Sequence, residues 1–263
     1  MIYETIQVSV EGPRATVTLA RPDVRNAFDD RVIGELTRAF DRLGSNPSVR
    51  VIVLAGEGKV FSAGADLHWM KSMISYSEAD NRIDAEALAG MFLVIDQCPK
   101  PVIARVQRAA MGGGAGLVAS VDIAIAEEGT QFAFTEVRLG IIPAAISPFV
   151  VAKIGAGHAR RYFLTGERFD AAEAHRIGLV AEVAPQGALD ATVDRLVNEL
   201  LASGPEAVTQ AKALISIVSG EPDRKALIGE TARRIAERRA SEEGQAGMIA
   251  FLEKRPAPWV DTP

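Results

Sequence analysis

The sequence predicts an α/β protein: a core of alternating strands and helices over residues 1–200, then a helical C-terminal subdomain over 201–263. Three observations predict it. The chain opens with a β-rich hairpin pattern, strand–glycine–helix units recur through its first two-thirds, and from about Gly187 the apolar residues keep helical spacing. With 263 residues, 48% of them hydrophobic, it is long enough to bury a substantial core.

The elements follow in order. Ile6–Val10 and Ala15–Leu19 alternate in polarity around Gly12-Pro13, which reads as a hairpin. Asp29 or Asp30 can cap a helix running to about Leu43, with Ile33, Leu36, Phe40 and Leu43 on one face. Arg50–Ala55 is apolar enough for a strand buried on both faces. A helix is expected from Ile83 to Gln97, halted by Pro99 and Pro101, then a strand at Val102–Val106. A glycine run, a short apolar helix and a strand at Asp122–Ala126 come next. Four helical stretches close the chain: Ala188–Ala202, Pro205–Val218, Arg224–Ala240 and Glu243–Phe251.

Composition narrows the function. The formal net charge of −5 argues against a nucleic-acid footprint, and a lone cysteine, Cys98, rules out an intrachain disulfide and reads as a small buried residue. His68, His158 and His175 lie far apart without metal-ligand spacing, so no metal site is expected. The opening residues lack a secretory pattern and no apolar run spans a bilayer, so a cytoplasmic protein without a membrane role is expected. The arginines at 233, 234, 238 and 239 interleave with glutamates and read as a solvated or intersubunit helix face.

Two loops could carry chemistry, Val60–Leu67 (VFSAGADL) and Ala109–Leu117 (AAMGGGAGL). Small residues let a ligand approach the backbone, and helix N-termini offer unpaired N–H groups. Two such donors aimed at one carbonyl oxygen make an oxyanion hole. Asp66 alone would be an ordinary helix cap, and glycine runs alone ordinary turns. A third segment, FAFTEVRLGIIP, sets Glu136 beside apolar residues. Burial there would raise its pKa and suit it to acid–base work; a surface glutamate paired with Arg138 is the plainer alternative.

In order and spacing these three segments resemble the enoyl-CoA hydratase/isomerase (crotonase) family, and the resemblance covers essentially the whole chain. It implies a spiral of ββα units, a C-terminal helical trimerisation region, and a homotrimer or dimer of trimers. The substrate would be an acyl-CoA thioester, with no cofactor beyond the coenzyme A it carries. The resemblance assigns the oxyanion donors to the N–H groups of Ala65 and Gly113. Coenzyme A contacts fall to Val24, Arg25 and Ala27 in RPDVRNAF, and to Ala63, Asp66, Leu67 and His68. In the tail FLEKRPAPW, Phe251 and Lys254 would approach the nucleotide end, often across a subunit boundary.

Two positions depart from the family pattern. Its hydratases commonly use two glutamates; the second maps onto Glu136, the first onto Gly116. That fits a single-carboxylate mechanism, with a water or substrate group expected to fill the vacancy. Arg108 stands where a glycine is usual. TEVRLGIIPAAISPFV, RRYFLTGERFDAAEA, FSAGADLHWM and GGGAGLVAS look like bacterial methylglutaconyl-CoA hydratases, which implies hydration of 3-methylglutaconyl-CoA in leucine breakdown. A distal carboxylate on that substrate would need a cation, and Arg138, Arg105, Arg108 and Lys71 are the candidates. A 3-enoyl to 2-enoyl isomerase is the alternative chemistry, and a non-catalytic acyl-CoA- or RNA-binding relative the alternative class.

Overall fold

The computed structural model describes residues 3–221 and 223–260. The far ends of both expected regions, residues 1–2 and 261–263, lie outside the described residues.

The hairpin forms from β1 (Ile6–Glu11) and β2 (Arg14–Leu19), antiparallel with Ile6 opposite Leu19. Asp29 caps α1 (Asp30–Gly44), accepting from Val32 N at 3.0 Å. β3 (Val51–Gly56) is buried throughout and pairs in parallel with β2. Two helices follow, α2 (Leu67–Met73) and α3 (Glu78–Asp96). The latter begins before the Ile83 expected, because Ser77 and Asp80 form a reciprocal capping box in an exposed, polar first turn.

β4 (Val102–Val106), β5 (Ala109–Met111), α4 (Gly113–Ser120), β6 (Ile123–Glu127) and β7 (Gln131–Ala133) complete the middle of the chain. The long α5 (Ser147–Thr165), β8 (Phe169–Asp170), α6 (Ala171–Arg176) and β9 (Glu182–Ala184) lead to α7 (Leu189–Leu201). α8 (Pro205–Gly220), α9 (Arg224–Ala240) and α10 (Glu242–Leu252) close it.

The strands make two sheets. The larger runs β1-β2-β3-β4-β6-β9, parallel after the hairpin; the smaller runs β5-β7-β8. Alternate residues of β3 face opposite ways. Ile52 and Leu54 join the main core with α1, α3, α4 and α5, while Val51 and Val53 meet Leu189, Val193 and Val197 of α7. This mixed architecture is of the α/β class that the sequence predicts.

Polar ties hold the last helices. Lys212 of α8 pairs with Asp122 at 2.7 Å, and the Glu243 carboxylate of α10 accepts from Glu206 N and Ala207 N, capping α8. Arg238 bridges Glu206 and Glu243, while Arg233 and Arg234 pair with Glu230 on their own helix. α8 and α9 bury none of their residues within the single chain.

Candidate active site

The first glycine-bearing loop leaves β3 at Gly56, where an added Cβ would lie 2.4 Å from Phe61 O, so the chain doubles back tightly. Ser62 then zips onto β5: its N–H donates to Ala109 O and its carbonyl accepts from Met111 N. Gly64 has φ +88°, and a Cβ there would meet Met111 O at 2.6 Å and Gly113 N at 3.5 Å. The two loops singled out in the sequence therefore touch, through residues a side chain would push apart.

Phe28 brackets Ala65. Its N–H donates to Gly64 O at 2.8 Å and its carbonyl accepts from Asp66 N at 3.0 Å, leaving the Ala65 N–H between them. Gly112, at φ +50°, turns the chain into α4, whose first residue is Gly113. Among the described residues, neither the Ala65 N–H nor the Gly113 N–H donates to a protein acceptor. Each follows a glycine with positive φ in a tightly packed turn, Gly64 and Gly112, so their directions are set before a ligand arrives.

Glu136 opens the 3-10 turn Glu136–Leu139 after β7. Its Oε1 lies 3.4 Å from where a Gly112 Cβ would stand, one residue from the Gly113 donor. Its Oε2 is buried and, among the described residues, has no hydrogen-bond partner. Burial holds the carboxyl above the usual carboxylate range. The pairing with Arg138 does not form: the Arg138 stem lies instead where a Cβ on Gly166 would be, at 3.1 Å. A buried carboxyl thus lies one residue from the unpaired Gly113 N–H, a donor of the kind that can hold an oxyanion.

The chain carries an enoyl-CoA hydratase/isomerase family match over residues 11–262. It belongs to that family. A crotonyl-CoA hydratase of Syntrophomonas wolfei is 32% identical over 263 residues, covering 99% of each chain. An enoyl-CoA hydratase structure from Shewanella pealeana superposes with a TM-score of 0.93 at 40% identity, covering 97% of this chain and 96% of the other. Pseudomonas aeruginosa AtuE superposes at 0.94 with 35% identity over 98% of this chain and all of the other.

Within this enoyl-CoA hydratase/isomerase family member, the residues expected to touch coenzyme A fall into two neighbouring groups and a separate pair. Val24, Arg25 and Ala27 lie on one turn, with Arg25 at φ +56° and its carbonyl accepting from Ala63 N at 2.9 Å. That bond sets the turn beside Ala63, Asp66, Leu67 and His68. Leu67 and His68 are exposed on the first turn of α2. The Asp66 side chain is engaged within the protein: it caps α2 through His68 N and Trp69 N and pairs with Arg21 at 3.0 Å. Arg21 also donates to Ala27 O, so it ties the two groups together. Phe251 and Lys254 lie apart from both, exposed at the end of α10, which packs on α8 and α9.

The vacancy expected at Gly116 is not open to water. A Cβ there would fall 2.3 Å from Ile146 Cγ2 and 3.1 Å from Phe92 Cζ, so apolar side chains already fill the space. Among the cations considered for a distal carboxylate, Arg105 is occupied by Asp190 at 2.5 and 3.1 Å. Arg108, at φ +60°, is exposed in a groove with Lys59 and Glu127 at the ends of β3, β4 and β6. Lys71 is exposed on α2. Among the described residues no three His, Cys, Asp or Glu side chains gather as metal ligands, and no helix is long and apolar enough to cross a membrane.

Sequence reasoning missed Phe28, Arg21 and Ile146, each of which acts on residues distant in the chain. Arg21 and Phe28 are the first and last residues of RPDVRNAF, and Ile146 lies within TEVRLGIIPAAISPFV, but only the charge of Arg21 hinted at a long-range partner.

Proposed function

We propose that this enoyl-CoA hydratase-type enzyme adds water to 3-methylglutaconyl-CoA, giving 3-hydroxy-3-methylglutaryl-CoA. The observation that carries the hydratase chemistry is the unpartnered Glu136 oxygen beside two unpaired backbone donors. The thioester oxygen would accept from the Ala65 and Gly113 N–H groups. The Glu136 carboxylate would take a proton from water while the hydroxyl adds to the β-carbon, leaving an enolate on the donors. Glu136 then returns that proton to the α-carbon, so one water is consumed and the carboxylate is regenerated. The methylglutaconyl assignment is supported by the sequence motifs around Glu136. Among the described residues, Arg138, Arg108 and Lys71 are the candidates for the distal carboxylate that make no ion pair, whereas Arg105 is held by Asp190. Phe251 and Lys254 would reach the nucleotide end of coenzyme A from a neighbouring copy in a homotrimer or dimer of trimers.

The apolar filling at Gly116 favours a second reading, a 3-enoyl to 2-enoyl isomerase, because one carboxylate suffices to shuttle a proton. Assays with 3-methylglutaconyl-CoA, crotonyl-CoA and a 3-enoyl-CoA, with products separated chromatographically, distinguish them. Formation of 3-hydroxy-3-methylglutaryl-CoA in excess of crotonyl-CoA hydration is expected. A 2-enoyl product with no hydroxyacyl species would establish the isomerase instead.

A further inference from the structure

Helix α4 begins with the Gly113 donor and rises about 4.5 Å over the three residues to Gly116. An acyl chain whose carbonyl sits on Gly113 N–H and runs along this first turn brings its reacting carbons to the depth of Gly116. Two side chains from the segment after β7 lie against that turn. Glu136 abuts Gly112, and Ile146 occupies the space beside Gly116. Both come from one stretch of chain, folded back where Ile141 N donates to Glu136 O at 3.2 Å. Ile146 is 2% exposed and rests where α5 begins, so its position is fixed by the core rather than by a mobile loop.

We propose that Ile146 is a specificity-determining residue: it takes the room a side chain at residue 116 would need, walls the acyl pocket with hydrocarbon, and leaves no space there for a second carboxylate to face Glu136. The wall selects acyl groups by the size and polarity of what the β-carbon carries. It also makes residues 116 and 146 a steric pair, in which a larger group at one requires a smaller group at the other. This inference rests on the acyl-CoA reading above.

The test uses the intact chain in five forms: wild type, Ile146→Ala, Ile146→Val, Gly116→Ala and Gly116→Glu/Ile146→Ala. Each is assayed with crotonyl-CoA, a longer linear 2-enoyl-CoA and the β-branched 3-methylglutaconyl-CoA, alongside thermal unfolding and pH–rate profiles. Ile146→Ala should shift the kcat/KM ratio between the longer or branched substrate and crotonyl-CoA by about tenfold or more. Ile146→Val, which trims the side chain yet keeps Cγ2, should move it the same way by less, and serves if the alanine form does not fold. Gly116→Ala should lower the melting temperature, since its Cβ meets Cγ2. The double variant should fold and gain a second carboxylate ionisation in its pH–rate profile. An equal loss of kcat/KM on every substrate for the Ile146 variants, with an unchanged profile in the double variant, would overturn the proposal. Wild-type protein inert toward all three thioesters would instead sink the acyl-CoA hydratase reading, a separate outcome.

Discussion

The ring of Phe28 lies so close to Gly113 that a Cβ on that glycine would stand 2.4 Å from Phe28 Cζ, while the Phe28 backbone flanks Ala65 on both sides. One residue therefore sets both backbone donors. Gly113→Ala must displace the ring and tilt its own N–H. We expect kcat to fall by about 10²–10³, as for loss of one oxyanion donor, with a smaller change in KM. Steady-state kinetics decide it; a kcat near wild type would mean that Gly113 N–H does not touch the thioester oxygen.

Glu136→Gln keeps the shape and removes the charge. Turnover should fall by about 10²–10⁴, the usual worth of a positioned general base. In the wild type, activity should decline on acidification through a pH above the ordinary carboxylate value of 4.5, because burial raises this carboxyl. Stability runs the other way. With the folded pKa above the unfolded one, ionisation opposes folding, and that cost is absent below the unfolded pKa and complete above the folded one. Glu136→Gln should thus melt higher than wild type at pH 8 and equal to it at pH 4, measured by thermal scans across pH.

Much of this arrangement was legible in the sequence, for identifiable reasons. A helix cap at Asp29 or Asp30, the Gly12-Pro13 hairpin and the two glycine loops all declare themselves through local backbone chemistry, and the structure puts the cap at Asp29. The start of α3 did not, because its first turn is polar and only the Ser77–Asp80 box marks it. The small sheet was invisible: β5, β7 and β8 are two or three residues each, too short to carry a period. The contacts of Phe28 with Gly113 and of Ile146 with Gly116 arise only when distant segments pack, so no local pattern encodes them.

The Arg21–Asp66 pair joins the Val24–Ala27 turn to the Val60–Leu67 loop, with Asp66 only 4% exposed. Burial opposes the charge on Asp66, yet the N–H groups of α2 and Arg21 hold its carboxyl below the usual range. Arg21→Ala would strand that buried charge, at a cost of about 3 kcal/mol. Chemical denaturation should show the loss, and the acyl-CoA KM should rise as the turn loosens.

Tyr162, fully buried, donates its hydroxyl to Glu173, which also receives two bonds from Arg176. Burial and Glu173 push the phenol up to about 12, and Arg176 with Tyr162 brings Glu173 down to about 2. A depressed carboxylate stabilises the fold fully above its unfolded value near 4.5 and loses that contribution as pH falls toward 2. Glu173→Gln should cost about 1–2 kcal/mol at pH 7, allowing for partial exposure, and the gap from wild type should close between pH 4.5 and 2.

The single thiol of this chain is sealed in the main core, with Cys98 at 2% exposure and its ionisation suppressed by burial. A thiol reagent in solution can reach it only during moments when the surrounding core parts, and each such encounter leaves a permanent mass tag. Labelling rates therefore time the spontaneous opening of the domain without any engineered probe. If a thioester ligand slows that clock, its grip on the loops is felt throughout the core; if it does not, the site tightens while the core breathes unchanged.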